Sequence, residues 1–137
     1  MHRKMVMELQ VTSGVIATLL EEAARAAPEE CCGLLLGRDG VVSEARPAAN
    51  VAEDRARRFE IDPMALFAAH KEARAGGPGL LGYYHSHPDG HPTPSATDCD
   101  HASGDARAWA IIAGGEVKFW RDGAGGFEEM DVGMLES

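Results

Sequence analysis

Cysteine is scarce and unevenly placed: the chain has three in 137 residues, and two of them, Cys31 and Cys32, are neighbours. That number and spacing cannot build a paired disulfide framework and fit a reducing compartment, so the cytoplasm is expected. Basic residues are also few, 13 Lys and Arg against 22 Asp and Glu, for a formal charge of -9. Such a balance repels phosphate backbones, which makes nucleic acid a poor partner. No apolar run approaches the ~20 residues needed to span a membrane. The opening segment from Met1 to Glu8 carries basic residues, but Glu8 and Gln10 interrupt the apolar positions that a signal-peptide core requires. Internal repeats, low-complexity tracts and separating linkers are absent too. What remains is a chain with 45% hydrophobic residues at a common single-domain length, so one domain over residues 1–137 is expected.

Periodicity predicts an α+β fold, a mixed β-sheet flanked by helices. Met5 to Thr12 alternates like a strand, and Ser13 stands as the N-cap of a helix whose stripe is Val15, Ile16, Leu19, Leu20, Ala23 and Ala27, ended by Pro28. Glu30 to Gly37 is apolar on both faces, as in a strand covered on each side. A turn at Arg38-Asp39-Gly40 and a weaker strand from Val41 to Ala48 complete a hairpin. Asp62-Pro63 pairs an N-cap with proline at the first helical position, opening a helix to about Arg74. Leu80 to His87 is the next strand and Ser95 to Ser103 a short helix. Ala108 to Ala113, Glu116 to Arg121 and Phe127 to Val132 are three further strands between Gly-rich turns.

Chemistry concentrates in the stretch His85-Ser86-His87-Pro88, followed after six residues by Ser95 and Asp98. Strand residues two apart share a face, so His85 and His87 project together. Asp98 lies three residues after Ser95 on the first turn of the short helix, where positions i and i+3 are neighbours, so both can face the histidines. Two imidazoles and one carboxylate leave a zinc ion one open tetrahedral position, the arrangement of catalytic sites. Pro88, Pro92 and Pro94 stiffen the connection that carries Asp98. Ser95 and Asp98 also fit the N-cap and N3 acid of a capped helix, a role compatible with chemistry.

These residues resemble the JAMM (MPN+, Mov34-type) zinc metallopeptidases, as short stand-alone prokaryotic members. Glu30-Cys31-Cys32-Gly33-Leu34-Leu35-Leu36-Gly37 is similar to that family's upstream E-x-C-G-x-L-x-G segment. The resemblance implies a cytidine-deaminase-like sheet between helices, and cleavage of amide or isopeptide bonds at the C-terminal tails of ubiquitin-like proteins. It implies zinc ligation by His85, His87 and Asp98, general acid/base chemistry by Glu30 and oxyanion support by Ser95. Glu29 competes with Glu30 for the acid/base role, and the aligned segment selects Glu30. The implied partner is a small ubiquitin-like or sulfur-carrier protein of the ThiS or MoaD type. Two other readings are a non-catalytic scaffold of the same fold and a RadC-like protein, which the acidic balance disfavours.

Other reactive side chains have structural explanations. Cys31 and Cys32 read as small buried hydrophobes within an apolar strand, and Cys99 as packing inward on the short helix. His70 and His91 receive no role, and His101 falls outside the motif. Trp109 alternates into the core of a central strand.

Overall fold

The computed structural model describes residues 9–136. In chain order the elements are β1 (Leu9–Thr12), α1 (Ser13–Ala26), β2 (Cys32–Arg38), β3 (Val41–Ala48), α2 (Pro63–Arg74), β4 (Gly79–Ser86), α3 (Ala96–His101), β5 (Ala108–Ala113), β6 (Glu116–Gly123), β7 (Gly126–Glu129) and β8 (Val132–Leu135). Only the end of the expected strand Met5 to Thr12 can be compared. Its first residues, and the opening segment read for a signal core, lie outside the described residues.

The β2–β3 hairpin forms as its sequence predicts, turning through Asp39 and Gly40, both at positive φ (52° and 75°). Two positive φ values in a two-residue turn match the right-handed twist of the strands it joins. Apolar on both faces, β2 sits inside the sheet between β3 and β4. Cys31 and Leu35 face one core cluster with Val15, Leu19, Tyr84 and Ile112. Cys32, Leu34 and Leu36 face a second cluster with Ile61, Ala69 and Phe59. α1 covers the first side through Val15 and Leu19. α2 covers the second, opening on Pro63 with Asp62 as N-cap.

Among the described residues the sheet has eight strands, in the order β7-β6-β5-β4-β2-β3-β1-β8. Laid flat, that order would separate its edges by about 33 Å at the usual strand spacing. Yet β7 and β8, at opposite edges, are joined by Met130 and Asp131 alone. Three Cα steps reach about 11 Å at most, so the sheet must curl around α1. α1 accordingly touches β1, β3, β4, β5 and β6.

This curl corrects the sequence reading of one strand from Phe127 to Val132. Met130 N donates to the Phe119 carbonyl (2.9 Å), and the chain then leaves β6 to pair β8 in parallel with β1. Thr12 rather than Ser13 caps α1, its Oγ1 accepting from Val15 N, and Ala26 rather than Ala27 packs inward. Glu30 and His87 fall just outside the strands expected to contain them, where β2 and β4 part.

Candidate metal centre

The register of β2 on β4 decides what faces what. Cys32 pairs with His85 and Gly33 with Tyr84 in an antiparallel ladder. One step further Ser86 N donates to the Cys31 carbonyl (3.1 Å) while Cys31 N donates to Ser86 Oγ (2.9 Å). The next step brings Glu30 opposite His87, and alternation puts both on the face that carries His85. The ligand atoms of Glu30, His85 and His87 lie within 4.8 Å of one another.

Asp98 arrives from α3. Its carboxylate is 3.0 Å from His85 Nε2 and 3.1 Å from His87 Nε2, and the two Nε2 atoms are 3.0 Å apart. Donors at tetrahedral vertices around zinc, about 2.0–2.1 Å from the metal, stand about 3.3 Å from each other. The triad His85, His87 and Asp98 therefore has the spacing of ligands to one ion, and Glu30 stands beside it in a looser group. His87 Nδ1 donates to the His91 carbonyl (2.8 Å), which leaves the Nε2 lone pair directed at the other donors. A proton on a ring nitrogen can bridge only one pair of these atoms, whereas a divalent cation would use all three as donors at once. The residues present fit a metal ion.

The chain matches the family of prokaryotic homologs of the JAB domain over residues 12–123. It belongs to that family.

Among curated proteins, this JAB-domain chain is 36% identical over 91 residues to the desampylase of Haloferax volcanii, covering 65% of this chain and 66% of that protein. It is 36% identical over 94 residues to a probable TtuB-protein conjugate cleaving protease of Thermus thermophilus, covering 69% of this chain and 63% of that one. The matches thus span a little under two thirds of those relatives. Among solved structures, protein DSY2949 of Desulfitobacterium hafniense superposes with a TM-score of 0.83 at 30% identity, covering 94% of both chains. The α+β class with a mixed sheet follows from this likeness.

Burial tunes the site of the JAB-domain chain. Burial pushes the Glu30 carboxyl up to about 7, with Asp98 and Asp54 adding to the rise and His87 opposing it. Burial also acts to raise Asp98, but hydrogen bonds with His85 and His87 outweigh it and hold the carboxyl below the usual range. His85, fully buried, is pushed down by burial despite Asp98. Burial would lower His87 too, yet Asp98, the His91 carbonyl and Glu30 raise it. Ser95 caps α3, its Oγ accepting from Asp98 N (3.0 Å) while Ser95 N donates to Asp98 Oδ2 (3.0 Å). That leaves the hydroxyl proton free. Ser95, Glu30, His87 and Arg57 line one cleft of about 380 Å³.

Glu29 is exposed and pairs with Arg55 at 3.2 Å, so Glu30 is the buried acid facing the histidines. Cys31 and Cys32 are buried as expected, whereas Cys99 is exposed, because α3 turns only Asp98 inward. His101 is exposed and donates to the Thr97 carbonyl. His70 and the His91 side chain are exposed as well.

Three supports escaped the sequence reading. Asn50 Nδ2 donates to the Glu30 carbonyl (3.0 Å), and its Oδ1 accepts from Ala52 N and Glu60 N, tying the 50–60 loop to the site. Phe59 stacks on His85, centroids 4.2 Å apart. Ser86 braces the backbone beside Glu30 through Cys31 N. A lone asparagine has no periodic signature, and only the turn-prone character of its type was available.

Proposed function

We propose that this chain is a zinc-dependent metallopeptidase of the JAMM type that cleaves an amide or isopeptide bond at the C-terminal tail of a small ubiquitin-like or sulfur-carrier protein. The observation that carries the proposal is the convergence of His85, His87 and Asp98 at 3.0–3.1 Å, with Glu30 buried beside them. The names of the relatives, a desampylase and a TtuB-conjugate protease, support the substrate class. His85, His87 and Asp98 hold the zinc, Glu30 moves the proton and Ser95 stabilises the oxyanion.

Zinc, when bound, supplies a Lewis acid and a water with pKa near about 7. A Glu30 carboxyl pushed up to about 7 can take a proton from the attacking water and hand it to the leaving amine. Asp98, held ionised by both histidines, keeps its negative charge for the metal instead of competing as a base. The free Ser95 hydroxyl proton can be donated to the carbonyl oxygen as it gains charge, an effect of about 3 kcal/mol where single donors have been removed elsewhere. A non-catalytic scaffold would have no use for a complete donor set with a buried glutamate beside it.

We further read residues 1–137 as one catalytic domain and the cytoplasm as its location. Cys31, Cys32 and Cys99 are all free, which suits a reducing compartment. No described helix is long and apolar enough to cross a membrane. The acidic balance argues against nucleic acid as a partner.

The test is intact-mass analysis after incubating the zinc-loaded protein with carrier proteins bearing C-terminal extensions or conjugated amines. Cleavage after the carrier's tail, abolished by a chelator and restored by zinc, is expected. Intact conjugates with every carrier, from a protein shown to hold zinc, would overturn the assignment.

A further inference from the structure

Asp98 is carried by an element with almost nothing to hold it in place. α3 has six residues, and Asp98 is its one buried side chain. Thr97 is half-buried, while Ala96, Cys99, Asp100 and His101 are exposed. The helix therefore lacks the apolar stripe by which α1 is fixed, and among the described residues it makes no extended packing with any strand. It sits within a long excursion, residues 87–107, between β4 and β5. A ligand on such a segment should wander, yet its carboxylate is placed at ligand spacing from both histidines.

Two side chains of one strand account for this. Before α3, Trp120 Nε1 donates to the carbonyl of Pro92 (3.0 Å). After it, the Asp122 carboxylate accepts from Ser103 N (2.9 Å) and Gly104 N (3.1 Å). Asp122 is 1% exposed, and its backbone also bonds to Ala106 and Arg107. Trp120 and Asp122 are two apart on β6, so they leave the strand on the same side. That strand in turn is laddered to β5 from Glu116 to Arg121 and to β7 from Trp120 to Gly123. The excursion is thus gripped at both ends by one strand inside the sheet.

We propose that Trp120 and Asp122 are positioning residues that fix Asp98 relative to His85 and His87, and so set the affinity of the site for its metal ion. The inference rests on Asp98 being a metal ligand. Neither residue is placed to touch the metal; each acts through the backbone on which Asp98 rides. Groups bonded directly to a metal ligand typically change affinity 10–100-fold when removed, and residues one step further out are expected at the low end of that range.

The test is zinc affinity of the full chain, measured by competition with a chromogenic chelator, alongside thermal unfolding of the metal-free protein. Trp120→Phe keeps an aromatic ring but removes the pyrrole part of the indole with its N–H, and Asp122→Asn turns one acceptor into a donor. Either variant is expected to weaken zinc about 10-fold. The cobalt-substituted variants are expected to show altered visible bands, since the carboxylate no longer sits at its vertex. A purely structural role would lower the unfolding temperature and leave both metal readouts unchanged. Trp120→Phe, the milder change, keeps the test open if Asp122→Asn fails to fold. Zinc affinity within twofold of the original chain and an unaltered cobalt spectrum in Trp120→Phe would overturn the inference. Failure of the unsubstituted chain to bind zinc would instead overturn the metal assignment beneath it.

Discussion

The proposed metal centre draws its side chains from two regions built on different physics. His85 belongs to the β2–β4 ladder between two apolar clusters, and Glu30 stands just beyond the end of that ladder, its backbone held by Arg55 and Asn50. Ser95 and Asp98 belong to the excursion between β4 and β5, whose short helix is held by caps and by hydrogen bonds to β6. The comparison teaches that this site is half scaffold and half graft. The scaffold half cannot change without disturbing the core, and the graft half can change while the core stays intact.

The largest expected contrast comes from deleting a ligand in each region. His85→Ala and Asp98→Ala should both lose zinc and hydrolysis, as metal content and turnover will report. Their metal-free stabilities should differ. His85 is fully buried under Phe59, so its loss removes its bonds and leaves a cavity costing about 2–4 kcal/mol, whereas Asp98→Ala removes the same bonds without a core cavity and should cost less. Equal losses on thermal unfolding would break the division between the regions.

A smaller contrast uses added methyl groups. A Cβ at Gly33 would collide with the Arg46 carbonyl and the ring of Tyr84 inside the sheet. At Gly90 in the excursion the nearest atom is the His87 Cβ at 3.2 Å, a tight contact relieved by a shift of a few tenths of an ångström. Gly33→Ala should lower metal-free stability by about 1–3 kcal/mol, and Gly90→Ala by less. The reverse order in a denaturant titration would count against the packing described for β2.

The mildest probe is chemical. Burial pushes the Cys31 thiol up and the Cys32 thiol to about 12. A raised pKa leaves less of the reactive thiolate at any given pH, so near about pH 8 both should resist alkylation. Cys99, exposed on α3, should label. One modified thiol per native chain is expected by mass, rising to three on unfolding. Early labelling of Cys32 would mean that the ladder opens more readily than the excursion.

Most strands and helices could be read from periodicity because their signals are local. The N-cap and proline of α2 and the double-faced apolar run of β2 need no distant information. The split of Phe127 to Val132 was not legible, since it depends on the sheet curling until β7 and β8 meet. In the site, the spacing of His85, His87, Ser95 and Asp98 pointed to a metal before any fold was known. That Glu30 lies opposite His87 follows from the register of β2 on β4, which no single segment encodes. The same holds for Asn50, Trp120 and Asp122, ordinary residues that matter only because of what folding brings to them.

The central claim is that Glu30 moves the proton at a metal held by the other three residues. Zinc content and turnover of Glu30→Gln, measured on the same preparation, test it most directly. Full zinc occupancy with turnover reduced about 10²–10⁴-fold is the result predicted, because the amide keeps the shape but cannot accept a proton. Unchanged turnover at full occupancy would contradict the account.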